Sequence, residues 1–336
     1  MKKNDVITST ASGYGTEGEA VFVCDGTPVF VPFCMEGERA EIKILSVKGG
    51  AAYGKCEKLL SPSPERVLPQ CPVFTKCGGC QLQHMNYAAQ TAFKTSLVKN
   101  TLRKIAGIEA EVLPAYAGEK TYRYRNKLVL PVGRDGEGNT LIGFYAPRSH
   151  RIVPVSDCSI QSPWCAKVIA AVKEYMSLCK LSGYDEESGR GDIRRIAVRE
   201  VGGKFVVALV AAKSVNAAPL ADILGRELGE ITLLLNINKS TGNAVFGEEW
   251  RVVRGDGFFE SEDMGVKFRA GANTFLQVND GVRTELYSGI VKEAADGGAV
   301  AIDLYSGGGM LTALLARACK RAYGIEIVKE ASICAD

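Results

Sequence analysis

The stretch that decides the fold class of the C-terminal part of this chain is Ala299-Val300-Ala301-Ile302-Asp303-Leu304-Tyr305-Ser306-Gly307-Gly308-Gly309. An apolar strand runs directly into a glycine turn, a helical segment follows over 311–319, and a second apolar strand follows over 322–327. This order predicts the start of a βαβ unit, the building block of a Rossmann-like α/β domain.

The glycine turn also predicts a cofactor site. A doubly wound sheet binds such ligands between a close turn after its first strand and a carboxylate after its second, about twenty residues later. Asp303, Gly307 and Gly309 fit the turn, and Glu326 fits the carboxylate. Thr312 replaces the third glycine of the dinucleotide fingerprint. This departure favours S-adenosylmethionine over NAD, because no pyrophosphate has to be bound. Taken alone, the turn could equally be a tight connection.

The rest of the chain divides into two further predicted domains. Residues 1–60 show short alternating strands broken by glycines, which predicts a small OB-like β-barrel. The proline-rich stretch 61–69 reads as a linker. Residues 61–270 mix a helical stretch from Met85 to about Ile108 with later strands and a hairpin around Gly202-Gly203, which predicts a central α+β domain. Residues 271–336 then begin the Rossmann-like domain.

Composition narrows the class of protein. The chain has 336 residues, of which 46% are apolar, so it is too hydrophobic to be disordered. Because no apolar run follows the basic N-terminus and none reaches eighteen residues, we expect a soluble cytoplasmic protein with no membrane partner. The net charge of +3 is too small to indicate a nucleic-acid partner by itself.

Three of the eleven cysteines lie within one short motif, Cys71-Pro72-Val73-Phe74-Thr75-Lys76-Cys77-Gly78-Gly79-Cys80. Isolated cysteines are most often small core residues, and the others are interpreted in that way. The clustered thiols indicate a metal site, for which Cys158, in a polar turn, is the candidate fourth ligand. Zinc is the rival metal, but zinc sites usually pair two Cys-x-x-Cys motifs and this chain has one. A four-cysteine iron-sulfur cluster fits better.

A second motif interleaves cations with aromatic rings over Lys120-Thr121-Tyr122-Arg123-Tyr124-Arg125-Asn126-Lys127. If this stretch is a strand, Arg123, Arg125 and Lys127 share one face, which could follow the phosphates of an RNA. A half-buried strand with a solvated basic face explains the pattern equally well. Arg190, Arg194, Arg195 and Arg199 form a second basic run with the same two interpretations.

Together these segments resemble the iron-sulfur-containing RNA (uracil-5-)-methyltransferases, in particular the 23S rRNA enzymes, over nearly all of the chain. The motif Cys71-x5-Cys77-Gly78-Gly79-Cys80-Gln81-Leu82-Gln83-His84 is similar to the cluster motif of that family. The first sixty residues resemble its RNA-binding TRAM barrel. Asn273-Thr274-Phe275-Leu276-Gln277-Val278-Asn279 resembles the segment that enters its methyltransferase domain.

The resemblance implies a role for each of these residues. A 4Fe-4S cluster would be held by Cys71, Cys77, Cys80 and Cys158. S-adenosylmethionine would be contacted by Gln277, Tyr305 and Glu326, beside Asp303, Gly307 and Gly309. Phe275 would stack near the target uracil, and Arg123, Arg125 and Lys127 would contact RNA. Met310 departs from the Asn or Thr that relatives often carry. The helical segment 85–110 would pack on the methyltransferase domain.

The implied activity is S-adenosylmethionine-dependent methylation of uracil C5 in 23S rRNA, by a monomer. In that chemistry a cysteine thiolate adds to C6, the resulting enolate attacks the methyl group, and a base removes the C5 proton. No cysteine here matches the nucleophile motif of the family, so we expect a C-terminally truncated chain that has no catalytic residues and is inactive alone. The alternative is a non-catalytic iron-sulfur RNA-binding protein.

Overall fold

The computed structural model describes residues 1–328 and 331–332. Residues 329–330 and 333–336, at the end of the predicted domain 271–336, lie outside the described part. The chain forms two compact units, Met1–Ala117 and Gly118–Asp336. No helix in the described residues is long and apolar enough to cross a membrane.

A closed five-stranded barrel opens the first unit, as the strand spacing predicts. Its strands are β1 (Val6–Tyr14), β2 (Ala20–Cys24), β3 (Thr27–Val31), β4 (Arg39–Lys48) and β5 (Ala51–Ser61), in the order β1-β2-β3-β5-β4. Phe22, Ile42 and Ile44 are among the alternate side chains that fill it. Gly54 admits a close approach of β5 to β4, since a Cβ there would lie 2.5 Å from Cγ2 of Ile42. The barrel prediction is confirmed.

The cysteine motif and a helix follow the barrel within the same unit. Helix α1 (Tyr87–Thr101) continues into a π-helical turn, Leu102–Ala106, which confirms the predicted helical stretch. Asn86 caps α1 by accepting a hydrogen bond from Ala89 N at 2.8 Å. Phe93 on α1 packs edge-on against Tyr14 of β1, with ring centroids 5.2 Å apart. The unit therefore extends well beyond the predicted boundary at residue 60. Packing of this helix on the methyltransferase domain stays a prediction.

The second unit is built on a seven-stranded sheet. Its strands are β6 (Lys127–Arg134), β7 (Thr140–Tyr145), β8 (Ile152–Pro154), β9 (Ile193–Val201), β10 (Lys204–Ala211), β11 (Ile231–Ile237) and β12 (Glu249–Arg254), in the order β12-β11-β10-β9-β6-β7-β8. Within the described part of this sheet, β10 and β11 are the only parallel neighbours, and the other strand pairs are antiparallel. Helices α2 (Trp164–Leu178) and α3 (Ala218–Leu228) cover one face with an apolar core. The predicted α+β region and its hairpin are confirmed.

The other face of this sheet carries the segments that lead to the glycine turn. Strands β13 (Phe258–Asp263) and β14 (Val266–Gly271) form a hairpin, and Ala270 and Leu276 pack with Val201 and Val206 of the sheet. Helix α4 (Asp280–Gly297) follows. Strand β15 (Val300–Leu304), helix α5 (Met310–Ala318) and strand β16 (Arg321–Ile325) then form the predicted βαβ unit, with β15 and β16 parallel.

Candidate functional site

The glycine turn lies at the carboxyl ends of β15 and β16, as the βαβ pattern requires. Glu326 accepts hydrogen bonds from Gly307 N at 2.8 Å and from Val328 N at 2.8 Å, so the carboxylate closes the turn. Gly307 and Gly309 have φ of 57° and 75°, in the left-handed region that favours glycine. Tyr305 also has positive φ, 63°, and its side chain is 87% exposed. The structure thus brings the predicted cofactor residues of this turn together.

Two carboxylates flank the turn with different partners. Asp303 Oδ2 accepts a hydrogen bond from Thr312 Oγ1 at 2.7 Å, so the threonine that replaces a fingerprint glycine anchors the first strand to α5. Hydrogen bonds from the backbone N–H groups of Val328 and Gly307 lower the pKa of the partly buried Glu326 carboxyl below its usual value. Glu326 is therefore ionised at neutral pH and available to the hydroxyl groups of a ribose.

The segment 274–276 runs alongside the turn. A Cβ added to Gly308 would lie 3.4 Å from Thr274 Cγ2, and one added to Gly307 would lie 3.8 Å from the carbonyl oxygen of Phe275. Thr274 and Leu276 are buried, whereas the Phe275 side chain between them is 63% exposed. The predicted stacking residue and the predicted cofactor turn therefore share one surface of the second unit.

The basic motif departs from its predicted conformation, because residues 120–126 are not a strand and only Lys127 begins β6. Arg123 has φ of 58°, which breaks the alternation of side chains. Its guanidinium forms a bidentate pair with Asp157 at 3.0 and 2.7 Å and donates to the carbonyl of Cys158 at 3.1 Å. Hydrogen bonding to Asp157 raises the pKa of Arg123. Arg123 thus holds the turn that carries Cys158.

Arg125 and Lys127 are placed differently from Arg123. The backbone of Arg125 bridges Gln161 on one side and Asn279 on the other. Lys127 is half-buried, and burial, followed by the charges of Arg199 and Arg125, lowers the pKa of its ammonium group. No carboxylate within the described residues forms a salt bridge with Lys127. A phosphate contact at these two cations stays a prediction.

The cysteine motif forms a compact loop in the first unit. Lys76 N and Cys77 N donate to the carbonyl of Val73 at 2.9 and 2.8 Å, and Gly79 N donates to Cys77 Sγ at 3.4 Å. Cys71 N donates to Gln83 Oε1 at 3.3 Å. Such N–H···S contacts are common around thiolates that bind iron-sulfur clusters. The chemistry of the donor set therefore fits a cluster.

The geometry of a metal site, however, is not formed. No group of three or more His, Cys, Asp or Glu side chains in the described residues is arranged to hold a metal ion. Cys71, Cys77 and Cys80 belong to the first unit and Cys158 to the second. The cluster and its four-cysteine ligand set therefore stay a prediction.

A buried ion pair that no sequence pattern indicated joins the barrel to the proline-rich stretch 61–69. Glu38 is fully buried and pairs with Arg66 Nε at 2.6 Å, while Ser63 N donates to it at 3.0 Å. Burial raises the pKa of Glu38, but these hydrogen bonds outweigh it and lower the value overall. His84 is also buried, which lowers its pKa to about 4, and its Nε2 lies 3.3 Å from the carbonyl of Cys34.

The second basic run is largely structural. Arg194 is 1% exposed and bonds to Asn238, to the carbonyl of Ser240 and to Glu186. Arg195 donates to the carbonyl of Ala244 at 2.7 Å. Arg199 donates a hydrogen bond to the carbonyl of Thr274, next to Phe275. The spacing of the arginines in the sequence did not indicate this role. Arg194, Arg195 and Arg199 are thus buried, so a solvated basic face, one of the two predicted interpretations, is wrong for these three.

Comparison with known proteins finds several relatives of nearly the whole chain. An uncharacterized RNA methyltransferase of Clostridium tetani is 37% identical over 338 residues, covering 98% of this chain and 73% of the relative. One from Halalkalibacterium halodurans is 36% identical, covering 98% of this chain and 74% of the relative. A scan against models of protein families finds no match.

A solved structure shares the fold. The crystal structure of Pyrococcus abyssi tRNA (uracil-54, C5)-methyltransferase in complex with S-adenosyl-L-homocysteine superimposes with a TM-score of 0.75 at 24% sequence identity. The match covers 98% of this chain and 75% of that one. At this identity the comparison establishes the likeness of the two folds.

Proposed function

The chain belongs to the family of RNA methyltransferases that these relatives represent, and from this membership and the geometry of the glycine turn we propose that it serves in methylation of uracil C5 in 23S rRNA, with S-adenosylmethionine as methyl donor. The observation that carries the proposal is the pairing of Glu326 with Gly307 beside the exposed Phe275. The fold neighbour, which binds S-adenosyl-L-homocysteine and is named for uracil 54 of tRNA, supports the cofactor and the base.

The residues of the turn would each have a distinct task. Glu326, ionised and partly exposed at the turn, would accept hydrogen bonds from ribose hydroxyls. Tyr305, 87% exposed at the same turn, would cover the adenosine, and Gln277 and Asp303 would line the site. Gly307 and Gly309 would let the ligand approach the backbone. When bound, S-adenosylmethionine supplies an electrophilic methyl group. We assign the thiolate and the base to no residue of this chain.

Phe275 would stack on the target base. A uracil inside a paired or stacked strand exposes neither C5 nor C6 to an enzyme, so the nucleotide has to be extruded. An exposed aromatic ring beside the cofactor turn is the kind of group on which an extruded base stacks.

Arg125 and Lys127 would provide the RNA phosphate contact, because neither forms a salt bridge within the described residues. Arg123 is instead committed to Asp157. Arg125→Ala should lower the salt slope of binding to single-stranded RNA by about 0.7, the value for one phosphate contact. Arg123→Ala, the matched control, should leave that slope unchanged. A larger loss of slope in the control would assign the contact to Arg123, and equal slopes in all three proteins would remove this segment from the interface.

The cysteine loop would bind a 4Fe-4S cluster, with Cys158 as fourth ligand and the TRAM-like barrel as a further RNA-binding element. Protein purified without oxygen should be brown, and Cys77→Ser should remove the colour. Cys179→Ser, outside the motif, should keep it. A colourless parent protein containing stoichiometric zinc would contradict the cluster.

The activity itself is tested in the source organism. Deletion of the gene should remove 5-methyluridine from 23S rRNA and leave tRNA unchanged, as read by nucleoside mass spectrometry. Loss of 5-methyluridine from tRNA alone would instead identify tRNA as the substrate. Unchanged 5-methyluridine in both RNAs would favour the alternative, a non-catalytic iron-sulfur RNA-binding protein.

The 336-residue chain alone should transfer no methyl group, because none of its cysteines matches the expected nucleophile. The assay is incorporation of labelled methyl from S-adenosylmethionine into rRNA. Incorporation above a no-enzyme control would place the nucleophile among the residues of this chain.

A further inference from the structure

The segment 274–280, which carries Phe275 and Gln277, is held by a buried asparagine from the basic motif. Asn126 is 6% exposed. Its Nδ2 donates to the carbonyl of Gln277 at 3.1 Å and to Asp280 Oδ1 at 2.7 Å, and its backbone N donates to the carbonyl of Val278 at 3.0 Å. Three hydrogen bonds from one residue therefore fix the backbone that ends at the start of α4.

A buried arginine holds the other end of the segment. Arg199, in β9, is 2% exposed and donates from Nη2 to the carbonyl of Thr274 at 3.1 Å and from Nη1 to the carbonyl of Leu276 at 3.4 Å. Burial lowers its pKa to about 10, so it remains charged at neutral pH. These carbonyls flank Phe275 on both sides. The guanidinium fork therefore fixes the backbone from which the phenylalanine ring projects.

The opposite side of the segment lies against the glycine turn. A Cβ added to Gly308 or Gly307 would make an ordinary van der Waals contact with Thr274 Cγ2 or with the Phe275 carbonyl oxygen, so the segment and the turn are neighbours separated by about one methyl group. The segment thus lies between the seven-stranded sheet and the cofactor turn. A shift of its backbone would move the Phe275 ring relative to the turn.

We propose that Asn126 and Arg199 are positioning residues, which set the direction in which Phe275 presents its ring to an extruded pyrimidine. The inference rests on the proposed function for the identity of the ligand. It changes the interpretation of the basic motif, because Asn126 faces the protein interior and acts through the backbone of the segment, whereas its neighbours Arg125 and Lys127 would face the phosphates.

The decisive variant is Asn126→Asp, which keeps the shape of the side chain and removes both Nδ2 donors. A carboxylate would then face the carbonyl of Gln277 and the carboxylate of Asp280, so the segment should move away. Asn139→Asp is the matched control, because Asn139 Nδ2 also donates to an aspartate, Asp135, at 2.9 Å, but on an exposed turn.

The measurement is photocrosslinking of the full chain to an oligoribonucleotide that contains one 5-iodouridine in a hairpin loop, with the crosslinked residue mapped by mass spectrometry. Asn126→Asp should lower the crosslink yield at Phe275 about tenfold. A small displacement of the Phe275 ring is enough to misalign it with the iodouridine base. The dissociation constant for RNA should change by less than about threefold, since the phosphate contacts remain. Asn139→Asp should match the parent in both measurements.

A rescue separates positioning from loss of folding. In the double variant Asn126→Asp with Asp280→Asn, the donor and the acceptor exchange places, so one hydrogen bond is restored and at least half of the lost crosslinking should return. Arg199→Lys keeps the charge but cannot donate to both carbonyls as the planar guanidinium does. It should therefore lower the crosslink yield at Phe275. Arg195→Lys, the same change at another buried arginine of β9, should lower the melting temperature and leave the crosslink yield of the folded protein unchanged.

The outcomes distinguish this inference from the proposed function. A parent crosslink at Phe275 that persists unchanged in Asn126→Asp and Arg199→Lys overturns the positioning role alone. Loss of the crosslink in Asn126→Asp without recovery in the double variant overturns it as well, because the effect is then general unfolding. A parent that crosslinks elsewhere and never at Phe275 overturns the stacking role in the proposed function, and this inference with it.

Discussion

The seven-stranded sheet and the two-stranded parallel sheet of the second unit have similarly apolar strands and different surroundings. In β10, Val207 and Leu209 are fully buried between neighbouring strands and two helices. In β15, Ile302 and Leu304 are 62% and 61% exposed, although parallel strands are usually covered on both faces. Apolar composition therefore predicts that a strand forms, whereas its neighbours decide whether it is buried.

The cofactor turn nevertheless stands on the less buried sheet. Its order comes from local hydrogen bonds, Gly307 N to Glu326 and Thr312 to Asp303, rather than from a packed core. The glycine turn is thus shaped locally, while the sheet that carries it remains thinly covered.

The largest difference should appear in amide hydrogen exchange. Amides of β15 and β16 should exchange at least about a thousandfold faster than those of β9 and β10, because local opening exposes strands that bury little apolar surface. The measurement is exchange followed by mass spectrometry at peptide resolution. Equal protection of the two sheets would mean that they unfold as one cooperative unit.

Next in size is the cost of truncating a buried side chain. Leu209→Ala should destabilise the second unit by ~2–5 kcal/mol, because it leaves a cavity in the core. Ile302→Ala, on the exposed strand, should change stability by less than ~0.5 kcal/mol. Urea unfolding can be followed by tryptophan fluorescence, since both tryptophans, Trp164 and Trp250, belong to this unit. A comparable loss in both variants would contradict the assigned burial.

Removing the charge of Glu326 should affect ligand binding more than folding. Glu326→Gln should weaken binding of S-adenosyl-L-homocysteine roughly tenfold or more, because charged hydrogen bonds to the ribose are lost. The melting temperature should change little, since the amide oxygen of glutamine can still accept the hydrogen bond from Gly307 N. Calorimetric titration gives the affinity, and Glu293→Gln on α4 is the control. An unaltered affinity would remove Glu326 from the site.

The smallest effect concerns acid titration of the turn. The pKa of Glu326 is lowered, so the hydrogen bond to Gly307 should be complete above the ordinary value of 4.5 and be lost as pH falls through the lowered pKa. The Gly307 amide shift in NMR spectra should therefore titrate with a midpoint below 4.5, and Glu326→Gln should abolish the transition. A midpoint above 4.5 would show that the carboxylate is not stabilised there.

Much of the fold followed from local sequence. Strand alternation in residues 1–60 predicted the barrel, Gly202-Gly203 predicted the hairpin between β9 and β10, and the run from Ala299 to Gly309 predicted the βαβ start. Each depends on near neighbours along the chain. Position 123 shows the limit of such reasoning, because alternating cations and rings predicted a strand and the left-handed Arg123 turned the chain toward Asp157, 34 residues away.

By itself, the sequence determined the elements, the glycine turn and the carboxylate that closes it, since these depend on backbone propensity and on short loops. Tertiary structure alone decided which polar groups are buried. Asn126 lies 151 residues from Gln277, and Arg199 lies 75 from Thr274, yet they share hydrogen bonds. No local pattern distinguishes a buried cation from one that faces solvent, because the cost of burying the charge is met by carbonyl oxygens that only the folded chain brings near.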